Sequence, residues 1–387
     1  MIHVALNLVF LVPGETGGME TYARELIPRL AERGDLRLTA LINREAAAAG
    51  GPWERVEVHV VPVSARSRPQ WVRGEQQFVP QMAERAGADL VHSLASTAPL
   101  RGRVRRITTI HDLNYKLVPE AHFGLRGLGM RLLIPAAARR SHRILVDAES
   151  TRHDLVAHLG TPAGKIDVVP LGVTPAPPVT PTPEPELRAR LGLGDRPVVL
   201  SVSAKRPHKN LPRLLRAVAG LEPRPIVVIP GYPTEHEHEL RALAAELRIS
   251  GDVVFPAWVS PEDLEGLYAL ATCVAFPSLY EGFGLPVLEA MARGVPVATS
   301  NRSSLPEVAG DAAYLFDPTD VDAIRTAIAR LLTDAPERER LAAAGRVRAA
   351  TFTWEATATG TLAAYRRAIG QKISRCSNGT SGEPRAR

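Results

Sequence analysis

Between Leu279 and Ser300 the chain reads LYEGFGLPVLEAMARGVPVATS, with Glu281 and Glu289 flanking a glycine-bearing loop and a proline. An apolar run, 271–276, precedes the loop. Pro286 suits the first turn of a helix, where a missing N–H costs nothing. Such a loop presents unpaired backbone N–H groups at a helix N-terminus, the ordinary physical site for a phosphate or diphosphate. Its glycines let the backbone approach a ligand closely. Glu289, about one turn into the helix, can face the same pocket and accept from ligand hydroxyls. Arg293 then falls in the last turn, and Gly294 at the C′ position that ends it. A second cluster, LSVSAKRPHKNL at 200–211, sets Lys205, Arg206, His208 and Lys209 directly after another apolar run. Fixed cations in that position would stabilise negative charge on a departing anion. At 107–115, ITTIHDLNY places His111 and Asp112 at the end of a third run. An adjacent His and Asp could form a general base, although a lone His at a strand end is more often a structural hydrogen-bonder. Finally, PGETGGME at 13–20 offers Gly17 and Gly18 for a tight turn and close backbone approach. It is not GxGxxG, so a dinucleotide fingerprint is missing.

These clusters need elements that bring them together. Short apolar runs alternate with amphipathic stretches along the whole chain. In the first half the runs are 2–10, 36–42, 56–63, 89–92, 107–111, 143–146 and 166–170, with helices over 19–33 and 126–141. In the second half they are 198–202, 226–230, 253–256, 273–277, 295–300 and 313–316. Helices are expected there over 211–220, 235–247, 261–271, 286–293 and 321–333. This alternation argues for βαβ units and parallel sheets. TPAPPVTPTPEP, at 174–185, cannot form a helix or a central strand and reads as a linker. The expectation is an α/β protein of two Rossmann-like, doubly wound domains, 1–172 and 187–352, joined by a proline-rich linker at 173–186. A helix follows at 353–370, and a polar, disordered tail at 371–387. Two such domains facing each other make a cleft, and ligands of open α/β sheets bind at the carboxyl ends of strands.

The chain has 387 residues, 45% hydrophobic and 23% charged, ordinary values for a globular protein. Its cysteines, Cys273 and Cys376, form no disulfide framework and no metal-ligand spacing, which fits a reducing cytoplasm. The N-terminus is apolar without a basic leader, so it reads as a buried strand rather than a signal peptide. No apolar window is long enough to span a membrane. The net charge of +6 is concentrated between Arg55 and Arg143. Solvated surface arginine is the ordinary reading of Arg101, Arg103, Arg105, Arg106, Arg139, Arg140 and Arg143. The sharper one is attraction to anionic lipid or a pyrophosphate-bearing acceptor, hence peripheral membrane contact. Basic residues are not interleaved with aromatics and no nucleic-acid motif occurs, so nucleic acid is not the expected partner. No Asp-x-Asp follows a strand where a metal would be expected; Asp320 and Asp322 begin a surface helix. Neither a cofactor nor a metal is expected.

Glu281 and Glu289, within EGFGLPVLE, resemble the Glu-x7-Glu motif of retaining glycosyltransferases of the GT-B fold, in particular glycosyltransferase family 4 and its mannosyltransferase-like group. The resemblance runs over nearly the whole chain, to about Ile369. It implies Glu281 near a donor sugar and Glu289 on the ribose, with the amides of Phe283, Gly284 and Leu285 on the sugar and diphosphate. It also implies Lys209 on the pyrophosphate. The family's companion Arg falls at Ala204 here, leaving Lys205 or Arg206 to replace it. TGGMETYARELI looks like the family's glycine-rich loop over the donor phosphates, carrying Gly17 and Gly18. His111 would contact the donor sugar, and Asp112 would be structural or face the acceptor. FPAWVS, 255–260, resembles the segment under the nucleobase, which includes Val259. AEST resembles a helix start with Ser150 as N-cap, and SNRSSLPE a loop in which Glu307 anchors structure. Trp354 and Tyr365 would pack a C-terminal helix back onto the first domain.

The implied activity is transfer of a hexose from a nucleotide-sugar to a glycan or lipid-linked acceptor in cell-envelope polysaccharide or glycolipid synthesis. GDP-mannose is weakly favoured as donor over UDP-sugars. The alternatives are a sugar-nucleotide epimerase or hydrolase on the same fold, and a non-catalytic nucleotide-sugar-binding subunit. Loop 64–77, with Trp71 and Arg73, is read as acceptor-side and carries no legible specificity.

Overall fold

A computed structural model describes residues 1–118, 124–175 and 179–370. Two separate parallel sheets organise them. The first contains β1 (Ile2–Leu8), β2 (Leu36–Ile42), β3 (Glu57–Val60), β4 (Leu90–Ser93), β5 (Arg105–Thr109), β6 (Arg143–Val146) and β7 (Ile166–Val168). The second contains β8 (Val198–Leu200), β9 (Ile226–Val228), β10 (Val253–Val254), β11 (Cys273–Phe276), β12 (Val297–Ser300) and β13 (Tyr314–Phe316). Strand order is β3-β2-β1-β4-β5-β6-β7 in one and β10-β9-β8-β11-β12-β13 in the other. The pairing of β1 with β2 runs from Ile2 opposite Leu36 to Leu8 opposite Ile42. Helices cover both faces, so the central strands are buried on both sides and read as continuous apolar runs.

In each sheet the strand order reverses at one place, between β1 and β4 and between β8 and β11. Loops leaving the strands at such a switch point splay apart and open a crevice. The loops in question are 9–17, the stretch after Ser93, 204–210 and 278–284. They are, with the His111 segment after β5, the ones that the residue chemistry singles out.

The C-terminal helix, Trp354–Ala368, returns to the first domain. The Tyr365 hydroxyl reaches Nδ1 of the buried His92 at 2.7 Å, and Thr109 Oγ1 lies 2.8 Å from its Nε2. Arg29 pairs with Glu355 at 2.7 Å and Arg367 with Asp167 at 2.8 Å. Gly172 lies where any side chain would strike the Trp354 amide, 2.2 Å from a built Cβ. Trp354 and Tyr365 are buried in this packing, as expected for the C-terminal helix.

Several local expectations are corrected. Segment 64–77 is not a plain loop: Arg68–Arg73 is helical, continues through a π-type turn, Gly74–Phe78, and joins the helix Val79–Arg85. Pro69 and Pro80 sit in the opening turns of these helices, where proline is tolerated. The helix Glu184–Leu191 begins inside the expected linker, with Pro183 before it. A helix over Ala335–Ala349 packs behind Leu285–Ala292, with Gly345 against Met291. Ser150 is not a helix cap. Ala148 holds that position in Glu149–Leu159 without a side-chain cap. The expected tail, 371–387, and linker residues 176–178 lie outside the described residues.

Candidate donor and acceptor site between the two domains

Lys209 closes a short turn, Pro207–Lys209, after β8. Asn210 follows in the left-handed region, φ 58°, which asparagine tolerates better than most residues. Its amide group donates to the carbonyls of Pro277 and Pro318 at 2.9 and 2.7 Å, tying the turn to the ends of β11 and β13. That anchor sets Lys209 Nζ 2.7 Å from Glu281 Oε1 and 5.0 Å from the centre of the Phe276 ring. Both members of the pair are mostly buried, at 15% and 11% exposure. The Glu281 backbone is held as firmly. Its amide donates to Ser303 Oγ, and its carbonyl and that of Phe283 accept from Ser304 Oγ.

The loop then turns through Gly284, φ 112°, into the helix Leu285–Ala292. Pro286 lies in its first turn, and Gly294 follows it at φ 70°, the left-handed C′ position. Among the described residues, no acceptor takes the amides of Phe283, Gly284 or Leu285. They are free donors at the positive end of a helix. The Phe283 ring packs against Phe352, so only its backbone is available to a ligand.

Glu289 accepts from the Tyr268 hydroxyl at 3.1 Å. Burial raises its carboxyl above the usual range, while Arg293 opposes that shift. Arg293 is itself held by Glu265, with Nε 2.8 Å from Oε2. Glu289 lines a cavity of about 280 Å³ together with Leu285, Val259 and Trp258 of the second domain and Thr21 and Glu25 of the first. Of the residues expected to hold a donor, Leu285, Glu289 and Val259 line this one cavity. Trp258 is 66% exposed beside it, so it is not a core residue.

The first domain closes over this site. A Cβ on Gly282 would lie 2.1 Å from the His111 carbonyl and 3.1 Å from Asp112 Cβ. Only glycine fits there. Gly17, φ 64°, turns the chain into the first helix, and Gly18 faces Leu285 across the cleft. Tyr232 of the second domain donates to the Gly14 carbonyl at 2.7 Å. Asp112 accepts from the Asn114 amide at 2.9 Å in a local turn.

Two expectations change. His111 does not pair with its neighbour Asp112. Its Nδ1 is 2.7 Å from Asp147 Oδ2 and its Nε2 2.8 Å from the Leu94 carbonyl. Both partners are acceptors, so only the doubly protonated ring serves both. Burial works against that cation, but Asp147 outweighs it and lifts the imidazole to about 8. With both nitrogens donating inward, the ring is no general base here. Lys205 is fully enclosed. Its Nζ donates to the carbonyls of Gly231 and Pro256 at 2.5 and 2.8 Å and sits 3.7 Å from Glu237. Burial lowers its ammonium to about 8. Arg206 is partly exposed and has no ion-pair partner among the described residues, so it is the cation of the two open to a ligand.

Sequence reasoning did not find Tyr268, Ser303 or Ser304 as supports of the site. Asn210 was legible only as the residue after Lys209 at a helix start, not as the anchor to Pro277 and Pro318. Of the clustered arginines, Arg105 donates to the Ala368 carbonyl, Arg106 to Arg140 and Gly102 carbonyls, and Arg143 to Asp167. Arg101, Arg103, Arg139 and Arg140 are exposed. Among the described residues no group of three or more His, Cys, Asp or Glu is placed to hold a metal. No helix among them is long and apolar enough to cross a membrane. The Cys273 thiol is buried and pushed up to about 12.

Known proteins resemble the chain over both domains. Residues 16–176 match the model described as Glycosyltransferase Family 4, and residues 183–348 that of Glycosyl transferases group 1. The O-antigen chain mannosyltransferase B of Escherichia coli is 34% identical over 270 residues, 68% of this chain and 70% of that protein. A D-inositol 3-phosphate glycosyltransferase of Mycobacterium avium is 32% identical over 92% of this chain and 90% of its own. Among solved structures, sucrose-phosphate synthase from Thermosynechococcus elongatus superposes with TM-score 0.77 at 22% identity, covering 95% of this chain and 99% of that one. Anabaena Alr3699/HepE, solved with UDP-glucose, gives TM-score 0.75 at 19% identity, covering 95% and 100%. These two share the GT-B fold.

Proposed function

This chain belongs to glycosyltransferase family 4, and we propose that it transfers a hexose with retention of anomeric configuration, without a metal or cofactor. The donor is a nucleotide-sugar, GDP-mannose before UDP-sugars. The acceptor is a glycan or lipid-linked saccharide of the cell envelope, the kind of chain named in the E. coli relative. The work is done on the cytoplasmic side, with exposed Arg101, Arg103, Arg139 and Arg140 available to anionic headgroups.

One observation carries the reading: Lys209 is paired at 2.7 Å with Glu281, in the same loop whose Phe283, Gly284 and Leu285 amides take no acceptor among the described residues. Cleavage of the bond between the sugar C1 and the diphosphate oxygen leaves charge on that oxygen. Cationic and amide donors fixed there stabilise the charge as it forms. Glu289 accepts from the ribose hydroxyls, and Val259 and Trp258 border the base. The acceptor oxygen bonds to C1 on the face the diphosphate leaves, and its proton passes to the departing phosphate oxygen. Glu281, bound to Lys209, orients that lysine and is not the nucleophile. Asp112 and the His111 backbone border the acceptor side, and closure of the domains excludes water.

The test is a thermal-shift series with GDP, UDP, ADP and dTDP, with and without magnesium. A ligand that binds only the folded chain raises its melting point. A shift with GDP that magnesium leaves unchanged is the expected result. A shift that requires magnesium refutes metal independence, and a shift with UDP alone refutes the GDP donor.

A further inference from the structure

We propose that Glu307 is a positioning residue, a carboxylate lent by the second domain as the missing N-cap of a first-domain helix, so that closure aligns the acceptor side on the donor loop. The helix Glu149–Leu159 starts after Ala148 and has no side-chain cap of its own. Its first-turn amides instead cross the cleft. The Glu149 N–H donates to both Glu307 oxygens at 3.0 Å, and the Ser150 N–H to Oε2 at 3.4 Å. A carboxylate at a helix N-terminus meets both the orphan donors and the positive end of the dipole. The Glu149 side chain turns aside to Arg152, 2.8 Å away, and does not compete.

The same helix meets the donor loop twice more. Thr151 Oγ1 donates to the carbonyls of His111 and Gly282 at 3.4 and 3.3 Å. Asp154 accepts from the Tyr280 hydroxyl at 2.7 Å. On the other side, Glu307 lies in the helix Leu305–Ala309 that starts after Ser303 and Ser304, which hold the Glu281 backbone. Arg348 fixes the carbonyls of Glu307 and Val308 at 2.6 and 3.0 Å. The cap and the loop with the free amides are therefore one rigid unit. When the domains part, the helix loses its cap, and when they close it regains it.

The experiment is hydrogen exchange by mass spectrometry on the full chain with saturating GDP, comparing wild type, Glu307→Ala and Glu307→Gln. Loss of one cap shifts an equilibrium about tenfold. In Glu307→Ala, exchange at residues 149–151 should rise about tenfold, with GDP affinity unchanged. Glu307→Gln, which keeps an acceptor oxygen, should recover part of the protection. Tyr280→Phe, which removes the second crossing bond, should raise exchange over the same helix. Where an acceptor is in hand, Glu307→Ala should lower kcat about tenfold and leave the donor KM unchanged. Exchange within twofold of wild type in both Glu307→Ala and Tyr280→Phe overturns the proposal. So does a loss confined to a lower melting temperature and equal in Gln and Ala variants. The kinetic and GDP-affinity arms rest on the transferase reading. If GDP produces no melting shift, the donor assignment fails, while exchange in the ligand-free chain still tests the cap.

Discussion

Replacing Asp147 by asparagine should remove a pH dependence that His111 imposes on the first domain. The histidine rises from 6.5 to about 8 in the folded chain because Asp147 outweighs the cost of burial. At about 1.4 kcal/mol per pKa unit, that is roughly 2 kcal/mol. The folded pKa is the higher one, so this stabilisation is fully present below pH 6.5 and disappears as pH rises through about 8. Other groups titrate nearby. Glu75, raised by burial to about 7, costs stability between 4.5 and 7. His92, lowered by burial to about 3, acts below 6.5. Lys205, lowered to about 8, makes the fold more stable as pH climbs beyond that value. Burial raises Asp147 itself, an effect on the acid side. All but the last are common to both proteins, so the difference between them isolates the pair. Measured by denaturant titration from pH 6 to 9, the advantage of wild type over Asp147→Asn should shrink by about 2 kcal/mol. In melting temperature this is roughly 4–8 °C for a domain of this size. A difference constant to within about 0.5 kcal/mol over that range would refute the charged-pair assignment, since asparagine preserves the shape and removes only the charge.

Three further outcomes separate chemistry from scaffold. Lys209→Ala should lower turnover at least about 100-fold, the scale of a preorganised electrostatic group, and near-normal kinetics would exclude Lys209 from the diphosphate site. Arg206→Ala should weaken nucleotide binding with the melting temperature kept, whereas Lys205→Met should lower the melting temperature and spare binding; calorimetry on both variants distinguishes them, and the reverse pattern would show the two lysine and arginine roles exchanged. Tyr365→Phe should cost about 1–3 kcal/mol, because it leaves a buried His92 nitrogen without its partner, and denaturant midpoints would show an unchanged value if that bond contributes nothing.

The central strands were legible because they are buried on both faces and so show as apolar runs; β2 and β6 were read to the residue. The helix Ala335–Ala349 was not, because its exposed surface is almost all charged or alanine, and only Leu341, Gly345 and Ala349 are buried. A stripe that narrow carries little periodic signal. The helical stretch after Ser67 was hidden by a different cause. Pro69 and Pro80 punctuate it, and proline in an opening turn looks in sequence like proline in a loop.

For the site, what lies along one strand-loop-helix unit could be read, and what depends on the fold's long-range contacts could not. Glu281, Gly284 and Glu289 belong to one such unit, and their spacing encodes their geometry. Lys205 and Arg206 are adjacent and chemically alike, so no periodicity says which is enclosed. The decision falls to the carbonyls of Gly231 and Pro256, which only the folded chain brings to Lys205. His111 followed by Asp112 invites pairing by adjacency, yet the partner is Asp147, supplied by the end of the neighbouring strand β6, where parallel pairing with β5 sets the two side chains together. Glu307 and Glu149 are 158 positions apart and lie in different domains. A cap of that kind leaves its trace only as an absence, a helix start at Ala148 with no side chain able to close it. The rule that follows is testable elsewhere in this chain: where a helix facing the cleft begins without its own cap, the missing acceptor should be sought on the opposite domain.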